Sequence, residues 1–561
     1  MQRSCTQCSA QFEVSDEDVA FYEKISPVFG DKKFTVPVPS ICPFCREQRR
    51  LGQFNRHFMY KRKSAATGKE IISIFSPDKD RPVFENDYWW SDAWDPLDYG
   101  RIPDLTMPLL PQLQALIDSV PVMAMINDQN ENSPYINSSG WSKNCHWSWG
   151  VDYCDHVFYS ESTYHSNGSF DCLFLEKGEK CYECIDCTDC HTAMFCQNAR
   201  NCHDCYFLFD CIGCSDCFGC VSLRQKKYCF FNEQLSKDEY KKKIAKYLPL
   251  TQESIASLKT KHQKLINTLP HCYMNGTNNE DSSGDYLSDS KNAQSCFDSY
   301  GLQDCKYCCN TRGADDCLDV SFWGHPGELL YECMAVGEGA SRVLFSYLVW
   351  GGTENIIYCN TCIGCHDCFG CAGLRKKQYC IFNVQYAKEE YERKVAEVIE
   401  AMERSGEWGQ FLSLETAPFC YNESIAQVFY PLTKKAVQEQ GWQWLERKVE
   451  IPEATKIIPA QKLPSNIDDI PDDVLYWAIS CERTQRPFKI EKMELEFYRM
   501  QKLPLPHLHP EERLWDRWKL RNPRKLWTRE CAKCSKSIET TYAPGRPEIV
   551  YCEECYLKAV Y

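Results

Sequence analysis

Residues 210–247 read DCIGCSDCFGCVSLRQKKYCFFNEQLSKDEYKKKIAKY, and residues 361–398 read TCIGCHDCFGCAGLRKKQYCIFNVQYAKEEYERKVAEV. The strings align without a gap at an offset of 151 residues, and upstream Cys145 and Cys154 find Cys296 and Cys305 at the same offset. Two units of similar length therefore follow one another, as in a tandem array.

Within each unit the cysteines recur every nine residues: Cys145, Cys154, Thr163, Cys172, Cys181 and Cys190, then after a three-residue slip Cys202, Cys211, Cys220 and Cys229. The second unit runs Cys296, Cys305 and, after its slip, Cys317, with Pro326, Ala335, Leu344 and Thr353 at the next nodes before Cys362, Cys371 and Cys380. Small residues at a short fixed period place each node against one core, as in a solenoid. Nine is odd, and strict strand alternation would turn successive nodes to opposite faces, so each step must contain a corner. Asp171, Asp189, Asn201, Asp210, Gly219, Asp304 and Asp316, beside the nodes, are residue types that corners favour. The expected fold is mainly β with some α: a duplicated, cysteine-rich parallel β-solenoid with two nine-residue steps per coil, flanked by zinc-ribbon blocks.

The lattice thiols admit two readings. A reduced, buried cysteine is a small hydrophobe that fills a narrow core. Alternatively Cys181/Cys184/Cys187/Cys190, Cys211/Cys214/Cys217/Cys220 and Cys359/Cys362/Cys365/Cys368/Cys371 are thiolate ladders for zinc, copper or an iron-sulfur cluster. CxxCxxC resembles half of a bacterial ferredoxin motif, but the fourth cysteine comes three residues on instead of four and no proline follows, which argues against iron-sulfur. Each unit closes in a charged helix; Ser236 before Lys237-Asp238-Glu239 has the form of a capping box, and Lys388 to Arg404 is the counterpart. Such helices cap an open solenoid edge.

The chain ends carry the strongest metal signal. CTQC and CPFCR supply Cys5, Cys8, Cys42 and Cys45, while CAKC and CEEC supply Cys531, Cys534, Cys552 and Cys555. Paired CxxC knuckles give the tetrahedral thiolate cage that zinc prefers, so two structural zinc ions are expected. CTQCSAQFEVSDEDVAFY also aligns on CERTQRPFKIEKMELEFY, matching Cys5 with Cys481 and Cys8 with Thr484. After a nine-residue deletion Cys42 falls on His509, Asn55 on Asn522, Ser64 and Thr67 on Cys531 and Cys534, and Glu85 and Tyr88 on Cys552 and Cys555. Each end is thus a pair of ribbon-like units, one with its ligands and one without. Tyr88, Trp89, Trp90 and Trp94 are placed to hold the ligand-free ribbon of the first block by packing.

The resulting organisation is an N-terminal ribbon pair over 1–95, a connector (96–139), a first repeat unit with closing helix (140–250), a connector (251–287) and a second unit (288–405). A small aromatic-rich helical element (406–450), a Pro-spaced linker (451–475) and a C-terminal ribbon pair (476–561) follow. The 38 cysteines together with an apolar-poor start, MQRSCTQCSA, point to reduced thiols and a cytoplasmic setting. The longest apolar run, Val343 to Trp350, is far shorter than the roughly 20 residues of a membrane-spanning helix.

No phosphate loop, dinucleotide fingerprint, nucleophile elbow or zinc-protease helix occurs, and no enzyme is expected. A net charge of -14 confines any nucleic-acid role to local patches. Two arms qualify. Arg46, Arg49, Arg50, Arg56, Lys61, Arg62 and Lys63 interleave with Phe54, Phe58 and Tyr60, while Arg513, Arg517, Lys519, Arg521, Arg524, Lys525 and Arg529 interleave with Trp515, Trp518 and Trp527. Cations for phosphate beside flat rings for bases suit single-stranded or looped RNA, or a ribonucleoprotein. An ordinary basic surface, its rings buried in the ribbon pair, is the competing reading.

DYWWSDAWDPLDYG, FCYNES, FYPLTK, RNPRKLW and YCEECYLKAVY, with the CIGCxDCFGC repeats, resemble a family of cysteine-rich zinc-ribbon proteins from candidate-phyla, small-genome bacteria. The first ribbon is also similar to a zinc-ribbon module of many bacterial proteins, from whose ligand pattern Ser64 and Thr67 depart. The resemblance implies the architecture and a bacterial cytoplasmic setting, and no activity. The expected function is a non-enzymatic, zinc-binding scaffold for RNA or a ribonucleoprotein. The alternatives are a metal-handling or redox protein working through the ladders, and a pure protein-interaction scaffold.

Overall fold

From residue 141 to 174 every third residue of the first repeat unit turns a corner. Trp141, Asn144, Trp147, Gly150, Tyr153, His156 and Tyr159 all take left-handed backbone, with φ between 47° and 59°. The side chain after each corner points inward: Cys145, Ser148, Val151, Cys154, Val157 and Ser160 are all buried. A computed structural model describes residues 1–175, 182–185, 194–195, 197, 204–447, 449 and 451–561. Parallel ladders set the coil length, since Trp149 pairs with Glu161, Ser215 with Lys227 and Cys368 with Cys380, each 12 residues on. The central region is a β-solenoid of about 20 turns, and its coils are four-sided, with three residues to a side.

This corrects the expectation of two nine-residue steps per coil. Nine residues are three sides, so the lattice is a diagonal across the stack. The diagonal has a chemical basis: the Cys145 thiol reaches the carbonyl of Cys154 (3.7 Å), Cys296 that of Cys305 (3.8 Å) and Cys362 that of Cys371 (3.6 Å). Ser148 makes the same bond to Val157 (3.2 Å). An inward thiol or hydroxyl thus adds a second bond to a carbonyl that already accepts a ladder amide, as Cys154 does from Lys143 (2.8 Å) and Cys371 from Asn360 (2.8 Å). The residues foreseen at corners are there: Asp171, Asp210, Gly219, Asp304 and Asp316 all have positive φ, while Asp189 and Asn201 lie outside the described residues. In the second unit the step lengthens to 13 where Leu330 pairs with Val343 and Met334 with Tyr347.

The first unit begins before residue 140, with Asn127 pairing to Ser139, and the second before 288, with Gly276 pairing to Leu287. Each unit ends in an antiparallel turn of strand, then a helix, Lys237–Ile244 or Lys388–Ser405. Ser236 caps the first as expected, its backbone N–H bonded to Glu239 (2.9 Å), and Tyr240 and Tyr391 bury themselves against the last coils. A further helix, Gln252–Ile266, lies in the segment expected as a connector. Among the described residues no helix is long and apolar enough to cross a membrane.

The two end blocks share one plan. Helices Asp16–Ile25 and Pro43–Leu51 recur as Lys492–Gln501 and Pro510–Lys519. The hairpin Tyr60–Lys63/Glu70–Ser73 recurs as Trp527–Glu530/Ser537–Thr540. Each block spans both solenoids. Tyr22, Phe34 and Val36 of the first block share a core with Tyr331, Phe345 and Ile357 of the second unit, whereas Leu495, Phe497 and Tyr498 of the last block pack on Phe158, Phe170 and Tyr182 of the first. A strand of each block then pairs with the strand leading into the other unit, Val83–Phe84 with Val122–Met123 and Ile549–Tyr551 with Pro270–Cys272. The blocks therefore cross-brace the pair.

Candidate metal centres

Four knuckles of one shape occur. In each, the fifth residue donates its N–H to the carbonyl of the first: Ser9 to Cys5 (2.9 Å), Gly68 to Ser64 (3.0 Å), Gln485 to Cys481 (3.0 Å) and Ser535 to Cys531 (2.9 Å). All four donors have φ between 59° and 74°. Each knuckle faces a helix whose N-cap is the third ligand position, namely Cys42, Glu85, His509 and Cys552. The gapped self-alignment is thereby borne out in backbone geometry.

Two of the four converge on a metal-binding geometry. The sulfurs of Cys5, Cys8, Cys42 and Cys45 lie within 4.8 Å of one another, as do those of Cys531, Cys534, Cys552 and Cys555; these are the only such groups among the described residues. Within each, the second and third sulfurs are 3.7 Å apart. The Cys42 amide donates to the Cys5 sulfur (3.2 Å) and the Cys552 amide to Cys531 (3.3 Å). Amides and a helix N-terminus aimed at sulfur favour the thiolate. Contact with Cys45 pulls the Cys42 thiol down to about 5 while pushing Cys45 up, so protons leave the cluster unequally. Burial opposes ionisation of Cys531, yet amide bonds from Cys552 and Cys534 hold it at about 6. Four soft ligands with no open position fit a structural zinc ion.

In the ligand-free ribbons hydrogen bonds take the metal's place. The hydroxyls of Ser64 and Thr67 donate to the two carboxylate oxygens of Glu85, the Thr67 bond measuring 2.7 Å. Trp89 is fully buried against Trp94 at 5.8 Å, with its indole N–H on Pro121 (3.0 Å), as the packing argument required. In the last block Glu512 is turned away to Arg483 (3.0 Å), and desolvation, with Arg486 nearby, pushes the half-buried His509 down to about 3.

The ladder thiols are placed differently. Cys181, Cys187 and Cys190 lie outside the described residues; Cys184 donates to the Tyr182 carbonyl. Cys211, Cys214, Cys217 and Cys220 line the four sides of one coil, as do Cys362, Cys365, Cys368 and Cys371, with Cys359 stacked one coil away from Cys371. Neighbouring thiols touch, but neither ring forms a four-point cluster like those of the ribbons.

The basic arms need correction as nucleic-acid contacts. Arg46 and Arg50 are buried on Asp319 (2.7 and 3.2 Å), and Arg49 and Arg50 on Glu332 (2.8 and 3.1 Å). Arg513 and Arg517 share Asp171 (2.6 and 2.8 Å), Arg521 and Arg524 share Asp298 (2.6 and 2.8 Å), and Arg56 and His57 meet Glu161 (3.3 and 3.0 Å). Arg62 and Arg529 donate to backbone carbonyls. The arms are brackets that fasten the blocks to the solenoids, and burial costs these cations dearly unless each finds a carboxylate. Of the fourteen cations only Lys61, Lys63, Lys519 and Lys525 are exposed. Spacing alone hides this, because the partners lie far away in sequence, 273 residues for Arg46–Asp319 and 342 for Arg513–Asp171. A cleft of about 480 Å³ is lined by Phe58, Trp515, Trp518 and Lys519 of the two arms together with Phe429 and the acids Asp285, Asp298 and Glu512.

No family model matches the chain, and no curated relative does. Among solved structures, a proposed acetyltransferase from Desulfovibrio desulfuricans G20 aligns at 7% identity and a TM-score of 0.07, covering 42% of this chain and 53% of that one. A likeness so slight carries no argument.

Proposed function

We propose that the chain is a non-enzymatic, zinc-stabilised binding scaffold in which two structural zinc ions lock the end blocks that brace a pair of solenoids. The observation that carries this reading is the convergence of two closed four-thiolate clusters, each in a block that touches both units. A closed cage leaves no position for substrate. The test is elemental analysis of anaerobically purified protein before and after chelation. Two zincs per chain, and loss of protection in both blocks when they are stripped, are expected. Fully protected blocks in metal-free protein would overturn the reading.

RNA as the bound partner is favoured by one feature, the cleft beside Lys519 lined by Phe58, Trp515 and Trp518, flat rings of the kind on which unpaired bases stack. Because the arginines are spent internally, binding there would rest on stacking and show a shallow salt dependence. Quenching of tryptophan fluorescence by single-stranded RNA, abolished in W515A, tests it; a protein partner alone would leave the tryptophan signal unmoved by RNA.

A further inference from the structure

The second solenoid holds a thiol cluster that core filling does not account for. Inward positions elsewhere carry Ser148, Val151, Leu302 and Val320, so the backbone accepts a mixture of small side chains there. In the coil of Cys362, Cys365, Cys368 and Cys371 all four sides carry cysteine, with Cys359 and Cys380 stacked on neighbouring coils. Contacts run from Cys359 to Cys362 and Cys371, from Cys365 to Cys362 and Cys368, and from Cys368 to Cys371 and Cys380. The first unit has the same ring in Cys211, Cys214, Cys217 and Cys220. Elsewhere the inward positions of the second unit carry Leu330, Cys333, Val336, Ala340 and Val343, so an unbroken ring of cysteine is local to this coil.

A second observation is independent of the count. The Cys371 amide donates to the Cys359 sulfur and the Asn383 amide to the Cys371 sulfur, both at 3.4 Å. This is the device that the ribbons use on Cys5 and Cys531. Serine hydroxyls elsewhere in the coils accept the same amide twelve residues on, as Ser148 does from Ser160 (3.2 Å), so the coil backbone itself aims a donor at each of these sulfurs.

We propose that the six thiols of Cys359, Cys362, Cys365, Cys368, Cys371 and Cys380 form a site for a soft monovalent cation, Cu(I). Tetrahedral zinc needs four sulfurs converging on one point, which only the ribbons provide among the described residues. A chain of touching pairs suits an ion content with two or three thiolates, and soft sulfur ligands select Cu(I). Each two-coordinate ion replaces two thiol protons, which leave to solvent, and forms two S–Cu bonds without change of oxidation state. Dry walls protect it from oxidation to Cu(II).

The experiment titrates full-length, zinc-loaded protein anaerobically with Cu(I) against a competing Cu(I) chelator, counting copper and zinc separately after desalting. Copper retained while zinc stays at two per chain is the expected result, together with loss of most of that copper in C365S/C368S. Serine is the fold-preserving replacement, because Ser148 already makes the inward bond nine residues on that a thiol would make. Copper that enters only as zinc leaves, or equal retention in C365S/C368S, overturns the proposal. Should that variant not fold, C359S, which removes the contacts to Cys362 and Cys371, gives the same two outcomes. The zinc count reports on the ribbons independently of either.

Discussion

Asp171 is the single anion between two buried guanidiniums, and Asp171→Asn isolates what that anion does. Its carboxylate takes Arg513 at 2.6 Å and Arg517 at 2.8 Å, with side-chain exposures of 1, 5 and 3%. The amide keeps the shape and removes the charge. The next anion is Glu494, 3.3 Å from Arg513, but burial lifts its carboxyl to about 7 despite Arg513, so at neutral pH it compensates only in part. Stripping the partner from a buried pair costs about 3–5 kcal/mol. At about 1.4 kcal/mol per decade, that is a hundred- to several-thousand-fold rise in the opening equilibrium of helix Pro510–Lys519. Hydrogen exchange of that helix, read at one pH against solenoid peptides around Leu330–Leu344, measures the rise locally and does not require the chain to unfold in one step. Asp319→Asn is the internal control, because Arg46 and Arg50 retain Glu332 at 3.5 and 3.1 Å; about 1.5–3 kcal/mol is expected there. Exchange in D171N within threefold of wild type, or a larger effect from D319N, would refute the bracket account.

Glu494 also predicts a pH dependence. A carboxyl whose folded value is raised from 4.5 to about 7 stabilises the fold below 4.5 and loses that contribution as pH rises through 7. Urea midpoints should therefore fall between pH 5 and 8 by an amount worth up to about 3 kcal/mol, and E494Q should flatten the trend; an unchanged profile in E494Q defeats it. Restoring cysteine at all four ligand-free positions of the first block, S64C/T67C/E85C/Y88C, should raise the zinc count from two to three, and a folded variant that still holds two would disprove the equivalence of the ribbons. Gly150→Ala would set a Cβ against the buried Arg56 guanidinium at φ +59°, whereas Gly68→Ala at φ +74° meets nothing. Thermal melts should find G68A lowered by only the left-handed penalty of about 1 kcal/mol and G150A by clearly more; equal losses would mean that Arg56 is not held as described.

What the sequence revealed follows from where the causes lie. The ribbons were legible because their ligands repeat locally, and the end duplication because Phe, Pro and Asn positions coincide along with the cysteines. The solenoid was legible as a class but not in coil length. Thiols mark the diagonal on which they donate, nine residues apart, and that spacing masks the 12-residue ladder, which joins like residues in Cys368 and Cys380 but unlike ones in Ser215 and Lys227. The arms were misread for a different reason. Arg46 and Arg513 look like surface cations until Asp319 and Asp171 are brought to them by folding, and nothing near either arginine in the chain announces that meeting.

The cross-bracing fixes an order of events on the ribosome. The first solenoid leaves the exit tunnel with Phe158, Phe170 and the acid Asp171 on a bare flank, and the residues that cover them, Phe497, Arg513 and Arg517, are made more than three hundred positions later. At about 5–20 residues per second that flank waits some tens of seconds or longer. The nascent chain thus carries this apolar flank uncovered while the whole second solenoid is made, and a segment translated after both solenoids is the one that hides it.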